Sequence, residues 1–303
     1  MTVYWPDNAK DAFGHEILRA DHQFEDSELF SDDGLAHLLD LYPRSALDIW
    51  TFESRHQGGT LAQKGRAPRM SGKDIVDAVK HGHIWLSLPC ANHELEDLKP
   101  VADELYGSLE TATGRRPMKR EMNLLISSPN VEVGYHLDIP MVALFQVRGR
   151  KRLWLYPPEE EFAPAEHVEH LVHITREEDL PYQASFDEKA RVFELAPGMG
   201  VTWPQLSPHR VRNAKCVNVS LSCEFMTTAS LVNANAIYTN AFLRQNLNLS
   251  PKAQNGIGPA ALGKAAFASL HKAMQPRDRG IAHTPITFEL DPSIETCVKP
   301  LWA

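Results

Sequence analysis

Two residues two positions apart, His136 and Asp138 in the stretch Tyr135-His136-Leu137-Asp138, carry the first chemistry this chain offers. Alternate side chains of an extended strand leave the same face, so this imidazole and this carboxylate point together and suit two ligands of one metal ion. Lys151 follows behind the turn Arg148-Gly149-Arg150. If Leu153 and Leu155 face the inside of a barrel, strand parity turns Lys151 inward with them and turns Arg150, Arg152 and Trp154 outward. A lysine inside an apolar barrel is costly unless an anion meets it, and a dicarboxylate would be such an anion. The same residues, RGRKR, also read as a basic hairpin tip in water.

The pair alone is a weak signal. With 14 histidines and 39 acidic residues in 303, chance supplies about two His-x-Asp/Glu pairs, and the second one is His167-Val168-Glu169. Context separates them. His136 lies between apolar strands, whereas His167, His170 and His173 lie in EEEFAPAEHVEHLVHITREED, a charged stretch that reads as a solvated loop or short helix and makes a weaker metal site. A second imidazole to join His136 and Asp138 is offered by His209, in APGMGVTWPQLSPHRVRNAKCVNVSLSCEF. By itself His209 reads as a loop histidine after a proline. Joined to the upstream pair it completes two imidazoles and one carboxylate, the donor set of non-haem Fe(II), which leaves positions open for a co-substrate and O₂.

The elements that must position these groups are mostly strands. Residues 122–127, 131–137, 141–147 and 151–156 form apolar runs separated by Ser-Ser-Pro-Asn and Arg-Gly-Arg turns, and 201–204 and 217–225 add two more. A barrel of short antiparallel strands brings a late strand beside the one carrying His136. The expected fold is mainly β with α decoration: N-terminal α/β elements over 1–120, a β core over 121–228 and a helical region over 229–303. Asp32 or Asp33 caps a helix through Leu41, 47–52 and 83–88 are strands, a helix runs from Ser71 to near Gly82, and an amphipathic helix over 92–113 restarts at Pro100. The polar stretch Arg55 to Met70 reads as an exposed loop, with a lid over the site as the sharper alternative. Trp50 and Trp85 read as core. Helices are expected over 227–249 and 259–275, and one more strand in the tail 286–303.

Composition bounds the rest. The chain has 303 residues, 43% hydrophobic and 23% charged, the makeup of a globular protein. Its net charge of −8 and pI near 6.0 argue against a nucleic-acid surface. Residues 1–30 hold no long apolar run, so neither a signal peptide nor a membrane span is expected, and the protein is placed in the cytoplasm. Cys90, Cys216, Cys223 and Cys297 show no C-x-x-C spacing and read as buried free thiols.

With these residues in view, the chain resembles the JmjC and cupin-like 2-oxoglutarate/Fe(II) oxygenases, nearest to their asparaginyl-hydroxylase-like branch. The matching pieces are NLLI, YHLD, FQVRGRKRLWLYPP and PGMGVTWPQLSPHRVRN, which lie between Asn123 and Phe225. The resemblance implies a double-stranded β-helix (jelly-roll) core, His136, Asp138 and His209 as iron ligands, and Lys151 pairing with the distal carboxylate of the co-substrate 2-oxoglutarate. Many relatives use instead an arginine some ten residues beyond the second histidine; here that place is VNVSLS, which leaves Lys151 preferred over Arg210 and Arg212. Polar neighbours expected near 2-oxoglutarate are Asn123, Tyr135 and Asn218, with Ser220 and Ser222 sharing the parity of Asn218, and Trp203 as a wall. Val133 stands where the asparaginyl hydroxylases usually carry a threonine, and their substrate-clamping loops have no close match. Hydroxylation of a protein side chain or a small molecule is the implied activity, and a homodimer through the C-terminal helices the implied assembly. Two other readings stand beside it. A cupin-type metal enzyme that does not use 2-oxoglutarate would leave Lys151 facing solvent or substrate, and a non-catalytic regulatory protein would show no turnover.

Overall fold

The computed structural model describes residues 2–54, 60–67, 70–174, 180–249, 251, 257–274 and 284–301. Its strands are β1 (Val3–Tyr4), β2 (Leu18–His22), β3 (Asp48–Ser54), β4 (Thr60–Arg66), β5 (Trp85–Leu88), β6 (Met118–Ser127), β7 (Glu132–His136), β8 (Met141–Arg148), β9 (Lys151–Leu155), β10 (Arg191–Leu195), β11 (Met199–Thr202), β12 (His209–Asn213), β13 (Asn218–Met226), β14 (Ile286–Leu290) and β15 (Val298–Pro300). Its α-helices are α1 (Ala9–Ala12), α2 (Asp32–Leu41), α3 (Gly72–His81), α4 (Ala91–Glu94), α5 (Lys99–Thr113), α6 (Ala165–Ile174), α7 (Thr228–Leu247) and α8 (Pro259–Met274).

Two sheets result. The larger runs β1-β2-β11-β8-β13-β6-β5-β3-β4-β14-β15 and the smaller β10-β9-β12-β7. Val142, Leu144 and Val201 of the larger sheet form one buried cluster with Leu153, Leu155 and Leu195 of the smaller, so the two sheets close on each other as a jelly roll. Period-2 alternation makes this possible. On β13, Val219, Leu221, Cys223 and Phe225 enter the outer core, while Asn218, Ser220, Ser222 and Glu224 take the other parity and face the barrel interior. The outer core packs Leu124 and Ile126 of β6 against Leu35, Leu38 and Leu39 of α2, Ile75 and Val79 of α3 and Leu105 and Leu109 of α5. Truncating one such leucine to alanine costs about 2–5 kcal/mol.

Helix starts follow side-chain capping. Ser71 and Asp74 form a capping box on α3, and Thr227 and Ser230 one on α7. At α2 the cap is Ser31, whose hydroxyl accepts from the Gly34 amide; the aspartates expected to cap are the first two helical residues, where their charge still favours the positive end of the helix. The amphipathic stretch over 92–113 divides into α4, a 3₁₀ turn over Glu96–Leu98 and α5, with Pro100 in the first turn of α5 as expected.

The expected loop over 55–70 is corrected in part. Residues 60–66 form β4, antiparallel to β3 and parallel to β14. Its glycine has a packing reason: a Cβ on Gly65 would lie 2.2 Å from the Phe288 ring. Residues 55–59 and 68–69, on which the lid alternative rests, lie outside the described residues. The tail holds two strands where one was expected, and β2 and β10 were not anticipated. The larger sheet takes strands from all three expected regions, crossing both boundaries near 120 and 228. All four cysteines are free; Cys223 and Cys297 are buried, Cys90 and Cys216 half-buried. No helix among the described residues is long and apolar enough to cross a membrane.

Candidate metal centre

His136 is the last residue of β7 and His209 the first of β12, and the antiparallel register sets them opposite each other. Their ring centroids are 4.2 Å apart. Asp138 follows in the turn to β8 and brings Oδ2 to 3.4 Å from His209 Nε2. One ligand atom from each of the three lies within 4.8 Å of the others, and among the described residues no other group of histidine, cysteine and acidic side chains converges this closely.

Each histidine is oriented from behind by a carbonyl two residues earlier: Nδ1 of His136 lies 2.8 Å from Gly134 O, and Nδ1 of His209 3.3 Å from Ser207 O. A carbonyl accepts only, so Nδ1 is the donor in both contacts, which aims each Nε2 at the site, the arrangement that orients ligating histidines. Burial, reinforced by the neighbouring His136 and opposed by Asp138, lowers His209 to about 4. It is therefore neutral at pH 7, the form that ligates. The Trp203 ring stands 5.0 Å from the His209 ring and walls the site. The donor set and its geometry fit a divalent first-row metal such as Fe(II).

Lys151 opens β9 at the far end of the same interior. The turn before it needs glycine: Gly149 has φ +76°, and a Cβ there would meet Val217 O at 2.1 Å. Lys151, Leu153 and Leu155 are buried while Arg152 is exposed; Trp154 is withdrawn too, on the outer face under the Arg210 guanidinium. Inward parity thus holds. Leu155 pairs with His209 and Lys151 with Asn213, so four residues of strand, about 13 Å of backbone, separate the two levels. Lys151 is 6% exposed, and among the described residues its ammonium meets no carboxylate and makes no hydrogen bond. Burial lowers it to about 8. An uncompensated buried cation at one end and a triad that could hold a metal ion at the other fit a ligand with an acid at each end.

The remaining expected residues divide. Asn218 lies on the interior parity, but its amide is engaged: Nδ2 donates to Cys216 O (2.9 Å) and Oδ1 accepts from Gln146 Nε2 (2.8 Å), while Ser220 donates to Gln146 Oε1 (2.7 Å). Asn123 accepts from the Cys90 amide (3.0 Å) and donates to Glu224 Oε1 (2.7 Å). Tyr135 is turned away from the site. It neighbours His136 on an extended strand and so leaves by the other face, where its hydroxyl donates to Phe162 O. Arg210 takes the outward parity and packs at 3.6 Å over Trp154; Arg212, of the same parity, is exposed. Of the histidine trio, His167 is exposed on α6, and the intervening Glu169 is buried and bonded to Arg244; the His173 side chain lies outside the described residues. Glu224 went unanticipated, although the parity of Asn218, Ser220 and Ser222 runs on to it. Burial, with Asp138 and Glu121 nearby, raises it to about 8.

Solved structures share the fold. An X-ray structure of Escherichia coli YcfD matches at 19% identity over 91% of this chain and 70% of that one, with a TM-score of 0.50. A structure of YcfD described as a ribosomal oxygenase from Escherichia coli matches at 18% identity over 91% and 69%, TM-score 0.49, and one in complex with cobalt and 2-oxoglutarate at 18% over 82% and 61%, TM-score 0.44. No curated protein matches the chain. The cupin-like domain family matches residues 66–229, from the end of β4 through β13 into the first turn of α7, and includes every residue of the centre described above. Covering more than half of the chain, that match makes this protein a member of the cupin-like domain family.

Proposed function

We propose that the protein is an Fe(II)- and 2-oxoglutarate-dependent oxygenase that hydroxylates a protein side chain or a small molecule. The observation that carries this reading is the shared interior of Lys151 and the His136/Asp138/His209 triad, a buried cation without a counter-charge facing the same barrel as a three-ligand metal site. His136, Asp138 and His209 would hold the iron, and the Lys151 ammonium the distal carboxylate of 2-oxoglutarate. Iron with 2-oxoglutarate supplies oxidative decarboxylation coupled to hydroxylation of a substrate C–H bond. The chain's own part is orientation and exclusion: Leu153, Leu155 and Trp203 keep water from the ligand, and Nδ1 contacts fix both imidazoles.

An anaerobic titration tests it. Fe(II) and 2-oxoglutarate added together should give the weak visible charge-transfer band of their chelate, lost in Lys151→Ala; a full-strength band in that variant overturns the role of Lys151, and no metal binding by the wild type overturns the whole reading. The burial of Lys151 disfavours a metal enzyme that leaves this residue in solvent.

For assembly, a homodimer through α8 is the finer reading, in the cytoplasm. This helix buries only Ala261, Ala265 and Ala268 and leaves Leu262, Phe267, Leu270 and Met274 exposed, an apolar stripe beyond what an isolated surface helix presents.

A further inference from the structure

We propose that the described parts of the connection from β9 to β10, residues 157–174 and 180–190, act as a strap that sets the two histidine ligands from behind, and that Asp187 is its positioning residue. The inference rests on the metal-centre reading above and extends it to residues outside the barrel.

Strand parity explains why a strap behind the sheet can reach the ligands. Tyr135 and Arg210 are the immediate neighbours of His136 and His209, so each leaves by the opposite face, and each is tied to the strap. The Tyr135 hydroxyl donates to Phe162 O at 2.7 Å, and its ring packs against Tyr182 and Phe186 with centroids 5.3 and 6.0 Å away. The Arg210 guanidinium donates through Nη2 to Asp187 Oδ2 and through Nε to the Tyr156 hydroxyl (3.0 Å), with Glu132 Oε1 3.5 Å from Nη1. Asp187 Oδ1 in turn accepts from Tyr156 (2.6 Å) and Tyr182 (3.0 Å). One carboxylate thus gathers three donors, and the 3₁₀ turn that carries it, Ala184–Lys189, is anchored by buried Phe186.

The backbone shows why such ties matter here. The β12–β7 register shifts between His209 and Val211, so the ladder is irregular at Arg210, and β7 is the edge strand of its sheet. Hydrogen-bond pairing alone leaves the two ligand-bearing strands loosely registered where a metal needs ligands held to about 0.5 Å. The Arg210–Asp187 tie and the Tyr135 anchor supply what the ladder omits. A network that merely glued the strap down would have no reason to land on both residues next to ligands.

The test is anaerobic Co(II) titration of the full chain, read by affinity and by the cobalt d–d absorption envelope, well below the melting temperature. Asp187→Asn keeps the volume and loses the charge. We expect its Co(II) dissociation constant to rise about tenfold with a changed d–d envelope, while Glu161→Gln, which removes only the charge of the exposed Lys189–Glu161 pair on the same strap, keeps both at wild-type values. Tyr182→Phe, the milder variant should Asp187→Asn fail to fold, should weaken Co(II) by about two- to tenfold. Wild-type affinity and envelope in a folded Asp187→Asn, or in Tyr182→Phe if that carries the test, overturn the inference and leave the metal centre standing. Co(II) binding that is absent in the wild type, or unaffected by His209→Ala, overturns the metal-centre reading and this inference with it.

Discussion

Lys151 on β9 and Arg210 on β12 lie on adjacent strands of the smaller sheet, one on each face, and both are largely withdrawn from water. Arg210 spends its charge within the fold, on Asp187, Glu132, the Tyr156 hydroxyl and the Trp154 ring. Lys151 has nothing comparable. Two cations in one sheet teach that burial by itself does not mark function. A buried charge that the protein balances belongs to the scaffold, and one left unbalanced points to a ligand.

The largest test of that contrast removes the partner of the ligand rather than either cation. His209→Ala should weaken Fe(II) or Co(II) by more than the about 10–100-fold that a change beyond the ligands costs, measured by metal titration. Next comes Lys151→Met. If the ammonium awaits an anion, this variant binds 2-oxoglutarate about 10–100-fold more weakly, by calorimetry on the metal-loaded protein. Its ligand-free form should nonetheless be more stable to urea, by about 3 kcal/mol at most, because the drop from 10.5 to about 8 is the penalty that the lysine imposes on the fold. Loss of stability in Lys151→Met would break the comparison. Arg210→Met should do the opposite, costing about 1–3 kcal/mol by leaving the half-buried Asp187 without its charge partner.

Lys151 also sets a pH signature. Its folded value lies below its unfolded one, so between about pH 8 and 10.5 the unfolded chain holds a proton that the native protein lacks, and the stability of the ligand-free protein rises with pH across that window. Below about 8 the penalty is full and constant. Binding of 2-oxoglutarate requires the ammonium and should weaken as pH rises above about 8, a dependence that Lys151→Arg abolishes. The smallest effect on the site belongs to Leu270→Lys. It should shift sedimentation from dimer to monomer if α8 pairs, with metal affinity unchanged.

The candidate site is only partly legible in the sequence: strand parity can turn His136, Asp138 and Lys151 toward one interior, but the pair alone is a weak signal and RGRKR reads equally as a basic tip in water, so it is the family resemblance that singles out Lys151. His209 needed more, since the sequence around it reads as a loop and only the pairing with β7 puts it opposite His136. Parity reaches further than these residues: the expectation that places Tyr135 beside 2-oxoglutarate conflicts with its neighbour His136 on the inner face, and Glu224 continues the Asn218 face. Asn123 and Asn218 are of the right parity, but their amides are engaged, Asn218 by its sequence neighbour Cys216 and by Gln146, and Asn123 by Cys90 and Glu224; the fold brings near all of these but Cys216. Strands β4 and β10 were hidden by composition. Gln63, Lys64 and Arg66 make the stretch polar, and none of these three side chains is buried, while Arg191–Leu195 is a partly exposed edge strand.

The eleven-stranded sheet bears on how this protein can be dissected. β5 and β3 from the first 120 residues cover one side of β6, and β2 covers one side of β11. A recombinant fragment limited to 121–228 would bare two apolar strand edges at once, each a template for another chain. Such a fragment should precipitate rather than bind metal, and mutations on β3 and β5 should register as lost solubility before they register as lost chemistry.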